Sequence, residues 1–329
     1  MVNRIWNAGI VLLLLLLAAL LLQFVRASSA IGDLFPSSGA SGQGGTRKQI
    51  ALIAQERDNP FWHSIEEGAR EAAEIAGNEL VYMGPARIAP SEQIRLLKKA
   101  IASKYDAILL QGLGGRTEYA KLIDEAAAQG IPVLVLDTDE PGSRRLSYVG
   151  TDNQAAGAIM GQLVASQTGG KGRIGVLIGS ETAANQQLRL AGLRKAIAGY
   201  PGLTVQTVRA TNISRLQAQR EAERMLAAGE DITVLVGFTA LDGEGMMAAA
   251  QRLGRTDALL LAFDDLAATR AGIADGRIAA SVVQLPKEMG AQAVALLQRH
   301  WAGEDVGGEH YTNVFTLDRL SVDSLAEAR

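Results

Sequence analysis

The sequence predicts an α/β protein built of two similar lobes, each a doubly wound parallel β-sheet, and three observations carry that prediction. Short apolar runs alternate with amphipathic helical patterns, as where Gln49-Ile-Ala-Leu-Ile-Ala54 gives way to a helical stretch over 59–76. Most of these runs lack the in-out alternation of a half-exposed strand, which marks parallel strands covered on both faces. The series also restarts: Arg173-Ile-Gly-Val-Leu-Ile178 resembles the first strand and begins a fresh succession of strand–helix units, too many for a single sheet.

In chain order, strands are expected at 49–54, 79–83, 107–111, 133–137 and 147–150, then at 173–178, 203–208, 233–237, 258–263, 278–283 and 313–317. Helices are expected over 59–76, 91–103, 117–129, 153–168, 187–198, 214–228, 242–253 and 287–301. The first helix shows the logic of its ends. Asn59 suits the N-cap, Pro60 the first helical position and Gly77 the residue beyond the last turn. Its spacing puts Phe61, Ile65, Ala69, Ala72 and Ala76 on one face and leaves Trp62 off it.

The chain has 329 residues, enough for two domains with real cores, and the change of lobe falls near Gly150–Asn153. Before the first strand, Arg4 precedes an apolar run from Ala8 to Leu22, and Ser28-Ser29-Ala30 follows. Residues 1–30 therefore read as a secretory signal with small residues at a cleavage site, or equally as an uncleaved anchor near the roughly 20 residues that span a bilayer. Either places the folded part outside the cytoplasm, in a periplasm or on the outer face of the cell membrane. Residues 31–48 are rich in Ser and Gly and read as a flexible tether.

Composition removes several classes of function. With 32 basic against 35 acidic residues and no block of either sign, nothing offers the clustered basic face that nucleic acid requires. The chain has no cysteine, which excludes disulfides, thiolate metal sites, a cysteine nucleophile and a lipid-modified cysteine. His63, His300 and His310 have neither zinc spacing nor a serine and acid arranged beside them. No catalytic residue, metal site or cofactor is expected.

Ligands in open α/β sheets sit beyond the carboxyl ends of the strands, where helix N-termini point. Asn59, Phe61 and Trp62 lie at such a place, in a chain only 5% aromatic. A ring can cover the C–H face of a sugar while an Asn side chain donates to and accepts from hydroxyls. Phe61 is as well explained by core packing; Trp62, off the apolar face, is better explained by a ligand. Val133-Leu-Val-Leu-Asp137 and Leu259-Leu-Leu-Ala-Phe-Asp264 each end a buried strand with a carboxylate, one in each lobe. Such a group accepts several hydrogen bonds and suits vicinal hydroxyls. Gln111-Gly-Leu-Gly-Gly-Arg-Thr117 only partly matches a dinucleotide loop, since Thr117 stands at the third glycine, and reads as a tight turn.

From about Gln49 onward the chain resembles type I periplasmic sugar-binding proteins of the ribose/galactose-binding kind. The resemblance rests on Asp58-Asn-Pro-Phe-Trp62, Gly130-Ile-Pro-Val-Leu-Val-Leu-Asp137, Gly150-Thr-Asp-Asn153, Ala262-Phe-Asp264 and Val283-Gln-Leu-Pro286 followed by Met289-Gly290. It implies two Rossmann-like lobes joined by a three-stranded hinge, with crossings near Thr151–Asp152, Gln284–Leu285 and Asn313–Val314. The lobes would then be 49–151 plus 285–313, and 152–284 plus 314–329. It also implies ligand contacts from Asn59, Phe61, Trp62, Asp137, Asp264 and Gln284. At five further positions the chain departs from the ribose-binding pattern. Thr138 and Gln187 stand where such relatives carry arginines, Thr239-Ala240 replaces an Asn-Asp pair, and Ile213 replaces an aromatic. Asn185, Gln186 and Arg189 are nearby substitutes for the lost groups, and the changes imply a more apolar sugar, such as a deoxy sugar, or a different polyol.

The function expected is that of an exported, non-enzymatic receptor that closes over a monosaccharide or polyol. The closed form, a monomer, would be presented to an ABC-type sugar permease or to a membrane sensor such as a histidine kinase or chemoreceptor. Two alternatives are an exported Rossmann-like enzyme and a receptor for an amino acid or peptide. The related LacI-type repressors carry an N-terminal helix-turn-helix where this chain has its apolar segment.

Overall fold

A computed structural model describes residues 47–227 and 231–322. The expected signal or anchor, most of the tether and the last seven residues lie outside the described residues. Among the described residues no helix is long and apolar enough to cross a membrane.

The first series runs β1 (Gln49–Ile53), α1 (Pro60–Ile75), β2 (Glu79–Met83), α2 (Pro90–Ala102), β3 (Ala107–Gln111), α3 (Thr117–Ala128), β4 (Val133–Leu136) and β5 (Ser147–Thr151). The second runs α4 (Asn153–Thr168), β6 (Lys171–Ile178), α5 (Ala184–Ile197), β7 (Gly202–Ala210), α6 (Arg215–Ala227), β8 (Val234–Gly237), α7 (Asp242–Leu253), β9 (Leu259–Phe263), α8 (Ala267–Ala274) and β10 (Ala280–Val283). The chain then adds α9 (Pro286–Trp301), β11 (Gly308–Thr312) and β12 (Phe315–Asp318).

These strands form two six-stranded sheets of matching order, β11-β5-β4-β3-β1-β2 and β12-β10-β9-β8-β6-β7. The first is parallel throughout, and in the second only the edge strand β12 runs antiparallel. Every residue of β3, β4, β8 and β10 is buried, as their largely apolar character requires. Two elements lie outside the sequence expectation. β11 is an exposed edge strand, Gly-Glu-His-Tyr-Thr, with one buried residue and so no apolar run to announce it. α8 is only eight residues long, too short for a clear helical period.

The burying face of α1 also differs from expectation. Asn59 caps the helix by accepting from the Phe61 N–H at 3.0 Å, and the buried stripe is Trp62, Ile65, Gly68, Ala69 and Ala73. Ile65 and Ala69 fit either stripe; glycine at 68 decides. A Cβ there would stand 1.9 Å from the Lys287 carbonyl of α9, so the helices cross at backbone contact along that line. Gly290 of α9 answers it, its Cβ position 2.0 Å from the Ile65 carbonyl.

The second lobe repeats the device. Gly157 of α4 and Gly192 of α5 each face the other helix's backbone, with Cβ positions 2.0 Å from the Arg189 carbonyl and 2.1 Å from the Gln154 carbonyl. Such contacts admit no methyl group without separating the helices. Gly192→Ala is expected to cost about 1–3 kcal/mol, the usual range for overpacking. Gly199→Ala, with open space around the added carbon, is expected to be near neutral. Urea unfolding of the two variants checks the difference.

Candidate functional site

The carboxyl ends of β1, β3 and β4 in one sheet and of β6, β8 and β9 in the other meet around one cavity of about 280 Å³. That volume lies close to the lower bound of about 300 Å³ for small-molecule pockets. Residues just beyond these strands line it: Gln111, Asp137, Phe238 and Asp264 among them, with Phe61 and Trp62 at the start of α1.

Asp137 and Asp264 occupy corresponding places, after β4 and β9, and are built alike. Both have left-handed backbones, with φ of 59° and 62°, a conformation Asp tolerates better than bulkier residues. Each is pinned by the next strand of its sheet. The Asp137 N–H donates to the Val149 carbonyl at 3.1 Å, and the Tyr148 hydroxyl donates to the Asp137 carbonyl at 2.8 Å. Likewise the Asp264 N–H donates to the Val282 carbonyl at 2.8 Å, and the Ser281 hydroxyl donates to the Asp264 carbonyl at 2.6 Å. The backbone is thus fixed from both sides, and the carboxylates turn into the cavity.

Between them lies Arg189 of α5, only 2% exposed. Its Nε donates to Asn153 Oδ1 at 2.8 Å, Nη1 to the Phe238 carbonyl at 2.7 Å and Nη2 to Gln284 Oε1 at 2.8 Å. The guanidinium also lies over the Phe263 ring, 3.9 Å from its centroid. Gln284 Oε1 accepts in addition from Thr151 Oγ1 at 2.9 Å, and its amide nitrogen donates to Asp264 at 3.0 and 3.2 Å. One cation therefore ties α5 to segments at the ends of β5 and β10.

The charges are mutually dependent. Burial raises the Asp264 carboxyl, Arg189 and the Gln284 hydrogen bonds pull against it, and the balance leaves it at about 6. Burial raises Asp137 as well, against Arg189 and the hydrogen bonds of Gln111, Thr138 and Asn185. Burial lowers Arg189, and Asp137 and Asp264 oppose that shift.

Of the nine residues singled out from the sequence, eight line the cavity: Asn59, Phe61, Trp62, Asp137, Thr138, Thr239, Asp264 and Gln284. Thr138 and Gln284 are spoken for within the web, the former donating to Asp137 at 3.3 Å. Trp62 is 2% exposed and belongs to the core beneath the cavity, with Phe61 edge-on to it at 6.1 Å. The stripe that α1 buries runs through Trp62, where helical spacing puts Phe61, and both rings line the cavity.

Gln187 is the exception. It is exposed, and its Nε2 donates to the Glu181 carbonyl at 2.8 Å. The α5 residues that reach inward are Asn185, Gln186 and Arg189. Asn185 Nδ2 spans the cleft to Asp137, 3.2 Å from Oδ2.

Sequence reasoning did not assign Gln111 a ligand role. At the end of β3, it donates Nε2 to Asp137 Oδ2 at 2.6 Å, while its own Oε1 is buried with no hydrogen-bond partner. The available signal was positional, a polar residue closing an all-apolar strand beside the one that ends in Asp137. The glycine-rich turn after it is no nucleotide loop. Glu140 fills it: the Leu113 N–H donates to Glu140 Oε2 at 2.8 Å, and the N–H groups of Gly114 and Gly115 also favour that carboxylate. An anion of the chain's own occupies the place a phosphate would take. Among the described residues no group of three or more His, Asp or Glu side chains is placed to hold a metal ion.

Residues 50–305 match the family model described as a periplasmic binding protein domain. The chain is 24% identical over 261 residues to the ribose import binding protein RbsB of Escherichia coli, covering 79% of this chain and 87% of that protein. Among solved structures it is similar to GanP, a glucose-galactose binding protein from Geobacillus stearothermophilus, with 36% identity, a TM-score of 0.81, and coverage of 84% and 99% of the two chains. A solute binding protein from Burkholderia graminis, in complex with D-arabinose, gives 27% identity and a TM-score of 0.81, covering 86% of this chain and 99% of that one.

Removing one member of a buried charge group leaves the others uncompensated. Arg189→Met is expected to destabilise the protein by about 3–5 kcal/mol, with Arg189→Lys losing less because it keeps the charge. Chemical denaturation of both variants at pH 7 checks this, and an unchanged midpoint in the Met variant contradicts it.

Proposed function

The chain belongs to the periplasmic binding protein family, and we propose that it is an extracytoplasmic, non-enzymatic receptor for a neutral monosaccharide bound between its two lobes. The observation that carries this reading is the pair of buried carboxylates, one after each lobe's corresponding strand, set around a single buried guanidinium in one cavity. Ionised carboxylates accept from vicinal hydroxyls, and the free Gln111 Oε1 offers a further acceptor. The Phe61 ring, which lines the cavity, offers a surface for a sugar's C–H face. An amino acid would need a free cation for its carboxylate at the cavity floor, where Arg189 already donates to Asn153, Phe238 and Gln284; the second arginine of the lining, Arg116, is exposed.

In this reading the lobes are 49–151 plus 285–313 and 152–284 plus 314–329, and Asn59, Phe61, Asp137 and Gln111 work against Asp264, Thr239 and Asn185. Ligand contacts on both walls favour the closed form, because only a difference in affinity between states shifts their equilibrium. The closed monomer is then recognised by a membrane partner, for which an ABC-type sugar permease fits the import binding proteins among its relatives. Residues 1–30 serve as signal or anchor, keeping the receptor outside the cytoplasm.

Two outcomes test the reading. Calorimetry with a panel of monosaccharides should find a sugar that binds and is returned unchanged, and Asp264→Ala should weaken it by about 2–5 kcal/mol, as when one partner of a buried charged hydrogen bond is lost. Affinity should also fall as pH drops through about 6, since the Asp264 carboxyl is held near that value and only its ionised form accepts from two hydroxyls. A pH-independent affinity between 5 and 8 would place Asp264 outside the site.

A further inference from the structure

Cavity chemistry is unevenly distributed. At the floor Gln111 and Asn185 hold Asp137, Arg189 and Gln284 hold Asp264, and Tyr148 with Asn153 joins the two groups into one web. The second lobe's side wall is of another kind. There Ile213 lies over Gly179, with Cγ1 3.0 Å from the place a Cβ would take, and the Thr239 methyl approaches the same point at 3.0 Å. Ala240 continues the lining.

Nearby polar side chains are turned to one another. Asn212 Nδ2 donates to Gln217 at 2.9 Å, the hydroxyls of Ser180 and Thr182 lie 3.2 Å apart, and Gln186 Oε1 accepts from the Gly179 N–H at 3.1 Å.

The backbone beneath this wall is strained. Asn212 and Ile213 are both left-handed, with φ of 50° and 52°. Asn accepts that conformation readily, whereas a β-branched residue there is a genuine outlier. Strain of this sort persists where the side chain is needed, and Ile213 presents its side chain to the cavity.

We propose that this wall selects sugars with an apolar edge: pyranoses carrying a methyl group or hydrogen, rather than a hydroxymethyl group, on ring carbon 5. This rests on the sugar-receptor reading and narrows it. The web takes the ring hydroxyls, so the remaining edge meets Ile213, Ala240 and the Thr239 methyl. A hydroxyl pressed against that surface gives up water and meets methyl and methylene groups, since the Thr239 hydroxyl is drawn toward the Asp242 carboxylate. Discrimination of this kind, an added hydroxyl against an apolar pocket, reaches about 100-fold.

Calorimetry on the full chain with three pairs tests it: D-fucose against D-galactose, L-rhamnose against L-mannose, and D-xylose against D-glucose. In any pair that binds, the member without the hydroxymethyl oxygen should bind about 10- to 100-fold more tightly. Equal or tighter binding of the hydroxymethyl sugar overturns the proposal and leaves the sugar receptor standing. Binding of none of the six, by protein shown to be folded by circular dichroism, overturns the receptor reading and this proposal with it.

Ile213→Asn supplies the second arm. Asn relaxes the left-handed backbone and puts an amide at the wall, so the variant should melt no lower than the parent while losing the preference for the apolar-edged sugar. A preference unchanged in a folded Ile213→Asn protein removes Ile213 from the specificity set and overturns the proposal.

Discussion

The site depends on one electrostatic constraint: two carboxylates and one guanidinium share a buried volume, and none of them is tolerable there without the others. Burial opposes ionisation of Asp137, Asp264 and Arg189 alike. Their mutual attraction and the hydrogen bonds each of them makes offset that cost. Since Arg189 also holds Asn153 and Gln284, and Thr151 joins Gln284, the same cation fixes the chain where it passes from one sheet toward the other. Residues that line the cavity therefore also hold the places where the chain leaves one sheet for the other.

Duplication explains how the carboxylates come to face one another. The two sheets have the same strand order, and corresponding strands end in the same left-handed aspartate, pinned by a carbonyl and a hydroxyl from the strand beside it. Helix pairs crossing at facing glycines close each lobe, α1 with α9 and α4 with α5. In the second pair Gly157 presses on the Arg189 backbone itself, so lobe packing sets the height at which the guanidinium enters the cavity.

Periodicity made most of this fold legible in the sequence, because buried parallel strands and amphipathic helices leave strong and different patterns. It was silent where burial is slight, as in β11, and where an element is short, as in α8. Asp137 and Asp264 stand out in the sequence because each lobe ends a matching apolar strand with a carboxylate, and the structure brings both to one cavity. Gln187 was misplaced for a physical reason. The inward face of α5 begins with Asn185, Gln186 and Arg189 and turns apolar only at Leu190, Leu193 and Ile197, so no hydrophobic stripe phases its first turn. Trp62 lies on the buried stripe because α1 is phased by the glycine at its crossing with α9, a tertiary contact that helical spacing does not reveal.

Closure is the consequence that distance measurement reads most directly, and a chain without cysteine allows clean labelling. Spin labels on Thr117→Cys and Glu181→Cys, both exposed and one on each side of the cleft, report the separation of the lobes. Saturating sugar should draw the distance distribution to a single short population. A distribution left unchanged by a sugar whose binding calorimetry has established would contradict capture between opposed walls.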